Sequence, residues 1–269
     1  MALLSSSPSL SITSPNYRYY PSRRLCLYPI SATRVVTPHH IDKSSLTISE
    51  TSSEDQLWAA ACLRVRSFHE FKPSTFGIQD HKRYLAEREF EALKERIAGK
   101  RTGFNRVSCL NASLPLSQLL SLPDDDLCAQ CKFSENGEDR VVVGTLDVNQ
   151  SMSLPDEITG MKPEWFSMLL QQGIEGQFAR GYLSNVCVAN ELHRNGLGYD
   201  LVAKSKAVAQ KWGITDLYVH VAVNNEPAKQ LYMKSGFVYE NDEPAWQARF
   251  LDRPRRLLLW LGLPGNQNW

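Results

Sequence analysis

One stretch, residues 182–237, constrains the fold more than any other, because it writes strand, glycine turn, helix, strand and helix in direct succession. Tyr182–Val188 alternates toward a β-branched end, as a strand does, and breaks at Ala189–Asn190. His193-Arg194-Asn195-Gly196-Leu197-Gly198 then sets two glycines in a turn that feeds a helix running to Lys211. Thr215–Val221 is a second β-branched strand. The helix after it carries its own start and stop, with Asn225 as N-cap, Pro227 inside the first turn and Gly236 past the end.

The turn has a chemical reading as well as a structural one. Consecutive backbone amides converge on an anion only where no Cβ blocks the approach, and the positive end of a helix dipole favours phosphate there. A Gly-x-Gly ahead of a helix is more often just a tight turn, and neither the dinucleotide fingerprint G-x-G-x-x-G nor the P-loop pattern is present. The second helix sharpens the reading. Asn225, Ala228 and Tyr232 lie at i, i+3 and i+7 on one face, and a small residue between an amide and a phenol leaves a groove with polar groups at both ends.

The strand, an Arg/Gln-x-x-Gly-x-Gly/Ala turn and an N-x-x-A-x-x-x-Y-x-x-x-G-F helix together resemble the GNAT superfamily of acetyl-CoA-dependent N-acetyltransferases. The match is specific over residues 182–237, and the order of elements over 45–262 is compatible with it. One departure is His193, where the family has Arg or Gln; the turn binds pyrophosphate largely through main-chain amides. The resemblance implies an α+β fold, a mixed, mostly antiparallel twisted sheet of about seven strands with about four helices. The strands ending at Val188 and Val221 should be neighbours whose ends splay apart. Acetyl-CoA is then the co-substrate, with no metal. The main chain of Val186, Cys187 and Val188 would pair with its pantetheine arm, and Arg194, Asn195, Gly196, Leu197, Gly198 and Tyr199 would take the pyrophosphate. Asn225, Glu226 and Pro227 would face the arm from the other side.

Acyl transfer to an amine needs a free lone pair, a donor for the charge developing on the carbonyl oxygen, and a proton for the departing thiolate. A strand N–H near Val186 suits the second need. The resemblance gives Tyr232 the third; the alternative is a core aromatic. Met233 and Phe237 read as packing. A lone histidine in a strand is more often structural, but Tyr182 and His220 together are similar to the catalytic subunits of protein N-alpha-acetyltransferases. There a tyrosine and a histidine at the matching positions act on the acceptor amine through water.

The rest of the chain frames that domain. Residues 1–41 carry no Asp or Glu, are rich in serine and include Arg18, Arg23, Arg24 and Arg34, a composition that matches an organelle transit peptide. The Met-Ala start and the excess of serine over arginine favour a plastid, and its stroma, over a mitochondrion. Residues 1–44 are thus expected to be a disordered leader and 45–269 the catalytic domain. Removing the leader takes net charge from +1 to about −3, and a slightly acidic domain without a basic block is a poor nucleic-acid binder. No apolar run suggests a membrane span. Cys128 and Cys131 have metal-like spacing without a second pair to complete a site.

Ser45–Ser49 reads as an edge strand. Ser53-Glu54-Asp55-Gln56 opens a helix whose stripe is Trp58, Ala61, Cys62, Val65 and Phe68, and a second helix from Asp80 buries Ala86, Phe90, Leu93 and Ile97. Arg106–Ala112 and Arg140–Val148 read as strands, Pro123–Glu138 as a surface loop, and residues 150–179 as a long connection with a short helix at Glu164–Gln172. Phe237–Glu240 and Arg255–Leu261 close the sheet across a charged connection, Asn241–Pro254.

Three functions follow from the resemblance. The first is a plastid acetyltransferase acting on protein N-termini, lysine side chains or both. The second is a small-molecule acetyltransferase for an arylalkylamine such as serotonin or a polyamine. The third is an inactive CoA-binding regulatory module. The sequence leaves the oligomeric state open.

Overall fold

In the computed structural model, the described residues are 40–51, 53–72, 74, 76–100, 105–122, 125–151 and 180–264. They form β1 (Thr47–Glu50), α1 (Glu54–Phe68), α2 (Ile78–Ile97), β2 (Arg106–Pro115), α3 (Asp125–Gln130), β3 (Lys132–Glu135), β4 (Glu138–Ser151) and β5 (Arg180–Val188). After these come α4 (Leu197–Lys211), β6 (Asp216–Ala222), α5 (Glu226–Lys234), β7 (Val238–Asp242), α6 (Ala245–Phe250) and β8 (Arg256–Gly262). The sheet runs β1-β2-β4-β5-β6-β8-β7, with β3 also paired to β4. Among the described residues β5 and β6 form the one parallel pair.

Local sequence explains most of the boundaries. The Ser53 side chain accepts the Gln56 N–H at 3.2 Å and caps α1. Gly77 enters α2 at φ 70, and Asn225 caps α5 by accepting the Ala228 N–H at 3.2 Å. α1 is buried without a break from Ala59 to Val65, not along a stripe alone, because it lies between the sheet and α2. Its expected last core residue, Phe68, is 53% exposed, as is Ile97 of α2 at 38%: both stand at helix ends, beyond the reach of the sheet.

The side chains of β4 sort the helices by face. Thr145 and Asp147 point to α1, where Arg64 holds both. A Cβ at Gly144 would instead meet Leu201 of α4. α1 and α4 therefore cover opposite faces, and a continuous core runs through both layers.

Three elements depart from the expected outline. The supposed loop Pro123–Glu138 contains α3 and β3, and β3 turns into β4 through Asn136-Gly137, with φ of 52° and 81°. Two positive φ values in a two-residue hairpin are what Asn-Gly provides, and burial of Phe133 fixes the strand to the core. The connection Asn241–Pro254 holds α6, ordered by the buried Glu243 carboxylate, which accepts from Arg253 at 2.6 Å and from the Arg256 N–H at 3.2 Å. Both short helices span too few residues for periodicity to reveal them.

Packing also reaches back beyond residue 45. Ile41 is in the core, Asp42 caps a 3₁₀ turn at Lys43–Ser45, and Arg140 holds the Ser45 carbonyl at 3.0 Å. The leader up to residue 39 and the expected helix at 164–172 lie outside the described residues.

Candidate active site

The site begins with an irregularity in β5. Two β4 residues, Thr145 and Asp147, are two apart, while their partners Cys187 and Ser184 are three apart. The extra residue is a β-bulge, and within it Asn185 has φ 54. A bulge bends its strand, and the pairing records the result. β5 and β6 run together from Arg180↔Asp216 to Leu183↔Val219 and then part. β5 stays on β4 through Val188, and β6 stays on β8 through Ala222. Ser184–Val188 and His220–Ala222 are the two walls of the opening, as the sequence predicts. Among the described residues no strand pairs with the β6-facing side of Val186, Cys187 and Val188, the condition for an extended ligand to add as a strand. Burial pushes the Cys187 thiol up to about 12, so it stays a protonated, packed side chain.

At the end of that wall comes the turn. Arg194 and Gly196 take φ of 69° and 77°, a left-handed conformation that glycine adopts without strain. No side chain caps α4, so its first-turn N–H groups are left for another acceptor. The His193 Nε2–H donates to the Val188 carbonyl at 3.0 Å, tying turn to strand. Asn195 Nδ2 donates to the Leu192 carbonyl at 3.2 Å. The Leu197 side chain is in the core, while Arg194 and Tyr199 are exposed. A Cβ on Gly198 would come within 3.1 Å of Leu231, so the α4 N-terminus and α5 approach closely at this position.

Across the opening, Asn225 is exposed at the start of α5, and Pro227 stands in the first turn. Glu226 pairs with Lys229 at 2.5 Å on the surface. Tyr232, two turns on, is 5% exposed and packs edge-on against Phe237, ring centroids 5.7 Å apart. Burial raises its hydroxyl well above the ordinary tyrosine value, with Tyr182 and Cys187 adding to the effect. It therefore stays a protonated phenol. Met233, expected to pack, is 55% exposed, because it turns away from that face of α5.

The other face of the opening is polar. Tyr182 Oη and His220 Nδ1 are hydrogen-bonded at 3.0 Å, so the two residues predicted to act together do meet. Asn149, which the sequence reading missed, donates to the Tyr182 carbonyl at 2.9 Å and to Ser184 Oγ at 3.0 Å. Tyr182 also packs with Tyr218, Leu258 and Trp260. Beside the bulge a groove of about 630 Å³ runs along α1 and α2, with Asn185, Phe68, His69 and Tyr84 among its lining.

Sequence reasoning also missed the charge cluster beneath this groove. Arg64 holds Asp147 with two bonds, at 2.6 and 3.1 Å, and both are buried. Burial alone would raise the Asp147 carboxyl, but the Arg64 and Arg96 guanidiniums outweigh it and hold it below the usual range. Thr145, Asp147 and Asn149 alternate as polar residues along an apolar strand, and that spacing was the available signal. Among the described residues no group of His, Cys, Asp and Glu is placed to hold a metal ion, and no helix is long and apolar enough to cross a membrane.

Residues 116–237 match the profile of the acetyltransferase (GNAT) family. The chain is 63% identical over 257 residues to GCN5-related N-acetyltransferase 7, chloroplastic, of Arabidopsis thaliana, a match covering 96% of this chain and 90% of that one. It is 30% identical over 193 residues to GCN5-related N-acetyltransferase 6, chloroplastic, of the same plant, covering 70% of this chain and 60% of the other. The crystal structure of Arabidopsis thaliana NAA60 in complex with acetyl-CoA is similar at a TM-score of 0.47 and 12% identity, over 82% of this chain and 99% of that one. With this degree of identity across almost its whole length, the chain belongs to the GNAT family of N-acetyltransferases.

Proposed function

We propose that the protein transfers the acetyl group of acetyl-CoA directly to protein amines, N-terminal α-amines, lysine side chains or both, inside the plastid. The observation that carries this reading is the hydrogen bond between Tyr182 and His220 at the opening between β5 and β6. The edge of β5 that no described strand covers, its Val188 carbonyl held by His193, and the turn without a side-chain cap fit acetyl-CoA: an extended arm adds beside Val186–Val188, and a pyrophosphate meets the N–H groups from Arg194 to Tyr199, with Asn225, Glu226 and Pro227 on the far side.

Each residue then has a task. The acceptor amine attacks the thioester carbonyl, forming the C–N bond as the C–S bond breaks. The Val186 N–H stabilises the charge that develops on the oxygen. Tyr232, kept protonated by its burial, donates a hydrogen bond to the departing sulfur or passes it a proton, which the product thiol then holds. The amine proton leaves through water to the Tyr182–His220 pair, whose neutral imidazole can accept it.

Acceptor basicity bears on which amine is favoured. An α-amine with a pKa of about 7.7–8.0 is about half to two-thirds neutral near pH 8, while a lysine at about 10.4 loses its proton there at a cost of roughly 3 kcal/mol. A base that works through water should favour α-amines. The name of the 63% identical relative includes the word chloroplastic, and with the serine- and arginine-rich N-terminal composition it supports a plastid location.

The test is a parallel assay of acetyl-CoA with free-N-terminus peptides, N-blocked lysine peptides and serotonin, read by mass spectrometry. Acetylated peptide is the expected product. Turnover of serotonin alone would move the protein to the small-amine class, and acetyl-CoA binding with no turnover to a regulatory module.

A further inference from the structure

The bulge in β5 is held from outside the strand. Asn185 has φ 54 inside a sheet, a conformation a non-glycine residue keeps only where its surroundings impose it. Its Nδ2 donates to Asp147 Oδ2 at 2.8 Å. The Asp147 carboxylate is itself fixed by the guanidinium of Arg64, at 2.6 Å to Oδ1 and 3.1 Å to Oδ2. Arg64 is 1% exposed and Asp147 0%. Arg64 also reaches Thr145 Oγ1 and Glu89, each at 3.1 Å. The chain of contacts thus starts on α1, crosses β4 and ends on β5, at the residue inserted between Ser184 and Cys187.

A buried ion pair is seldom kept for stability, since well-packed apolar residues of similar volume serve as well or better. What it supplies here is direction. An ionised carboxylate only accepts hydrogen bonds, so the Asn185 NH₂ group must face Asp147. The backbone of Asn185 is thereby held in the left-handed conformation that turns β5 out of register. We propose that Arg64, Asp147 and Asn185 form a positioning relay that sets the β5 bulge and, through it, the direction of the Val186–Val188 amides. α1 reinforces the same wall farther along, where Arg66 pairs with Glu191 in the turn after β5. The relay is a positioning device, although Arg64 and Asn185 also line the groove beside the bulge. It acts through the strand that would carry the thioester, and so rests on the proposed reading of that strand as the acetyl-CoA site.

Two variants separate positioning from mere stability. Asn185→Gly tolerates the positive φ and removes the bond to Asp147. Arg64→Met/Asp147→Leu removes both charges together and leaves neither buried alone. Each is measured for melting temperature, acetyl-CoA affinity by calorimetry, kcat on a peptide the wild type acetylates, and amide hydrogen exchange of residues 183–189. Both variants are expected to fold, with faster exchange at Val186–Val188 and kcat lower by roughly 10- to 100-fold. The loss of acetyl-CoA affinity should be smaller than the loss of kcat. A folded variant with wild-type kcat and wild-type exchange overturns the relay, and so does a lowered melting temperature with kcat unchanged. If the wild type binds acetyl-CoA but acetylates no amine, the functional reading fails, while hydrogen exchange still decides the relay: unchanged protection in both variants refutes it.

Discussion

The two faces of the β5–β6 opening are built on different principles. On the α4–α5 face the surroundings are Val188, Gly198, Ala228 and Leu231, small or apolar side chains that leave binding to the main chain. On the α1–α2 face stand Asn149, Tyr182 and His220, polar side chains bonded to one another or to the strands, with Tyr218 packed against Tyr182. A main-chain site tolerates many side chains but not a Cβ where a glycine must be; a side-chain site is sensitive to single atoms. Changes on the first face should therefore alter acetyl-CoA affinity, and changes on the second the rate and its pH dependence. Tyr232 stands on α5, on the first face, where burial raises its hydroxyl and Tyr182 of the other face adds to the rise.

The largest effect is expected at that residue. Tyr232→Phe keeps the ring against Phe237 and removes only the hydroxyl, so kcat should fall by about 10²–10⁴ with acetyl-CoA affinity unchanged. A kcat within twofold of wild type would reduce the residue to packing. The raised hydroxyl also carries a stability signature. Its proton favours the folded state, so its contribution is complete below the ordinary tyrosine value of about 10 and is lost as pH rises beyond it. Alkaline unfolding followed by circular dichroism should begin at higher pH in Tyr232→Phe, and no shift would contradict that burial.

Gly196→Val probes the main-chain face. A branched residue at φ 77 is strained, and its Cβ would meet the Lys43 ammonium at 2.9 Å. Acetyl-CoA affinity by calorimetry should fall by about tenfold or more, while kcat at saturation changes less. Normal binding by a folded variant would put the pyrophosphate elsewhere.

Met233→Ala should do the least. On the exposed side of α5, it should alter stability by less than about 0.5 kcal/mol and leave both kinetic constants alone. A clear effect on kcat would show that the active face of the helix has been drawn too narrowly.

The unequal legibility of the two faces has a physical cause. Residues 182–237 could be read because each element there carries local punctuation: the glycines of the turn, the Asn225 cap and the terminal Gly236. The splay of β5 from β6 and the joint role of Tyr182 and His220 came from the family resemblance that this punctuation carries; the direct bond between their side chains did not. The bulge did not. Asn185 is left-handed because of Asp147, 38 residues away, and Asp147 is fixed by Arg64, a further 83 residues off. No local period records such contacts, and Arg64 sits amid apolar residues where a charge reads as an interruption. The β3–β4 hairpin is a different case, since Asn136-Gly137 carries its turn signal in two residues.

The claim that the polar face does the chemistry of the amine is tested most directly by pH–rate profiles. Wild type, His220→Gln and Tyr182→Phe would each be measured with an α-amine peptide and an N-blocked lysine peptide at saturating acetyl-CoA. Protonation of the imidazole removes the lone pair that accepts the proton, so wild-type kcat should fall on the acid side. His220→Gln should lose that limb and lower kcat, more for lysine than for the α-amine. Tyr182→Phe should act in the same direction, with acetyl-CoA affinity unchanged in both. If His220→Gln keeps the wild-type profile with both acceptors, the histidine is a strand residue and the polar face is not the site of proton transfer.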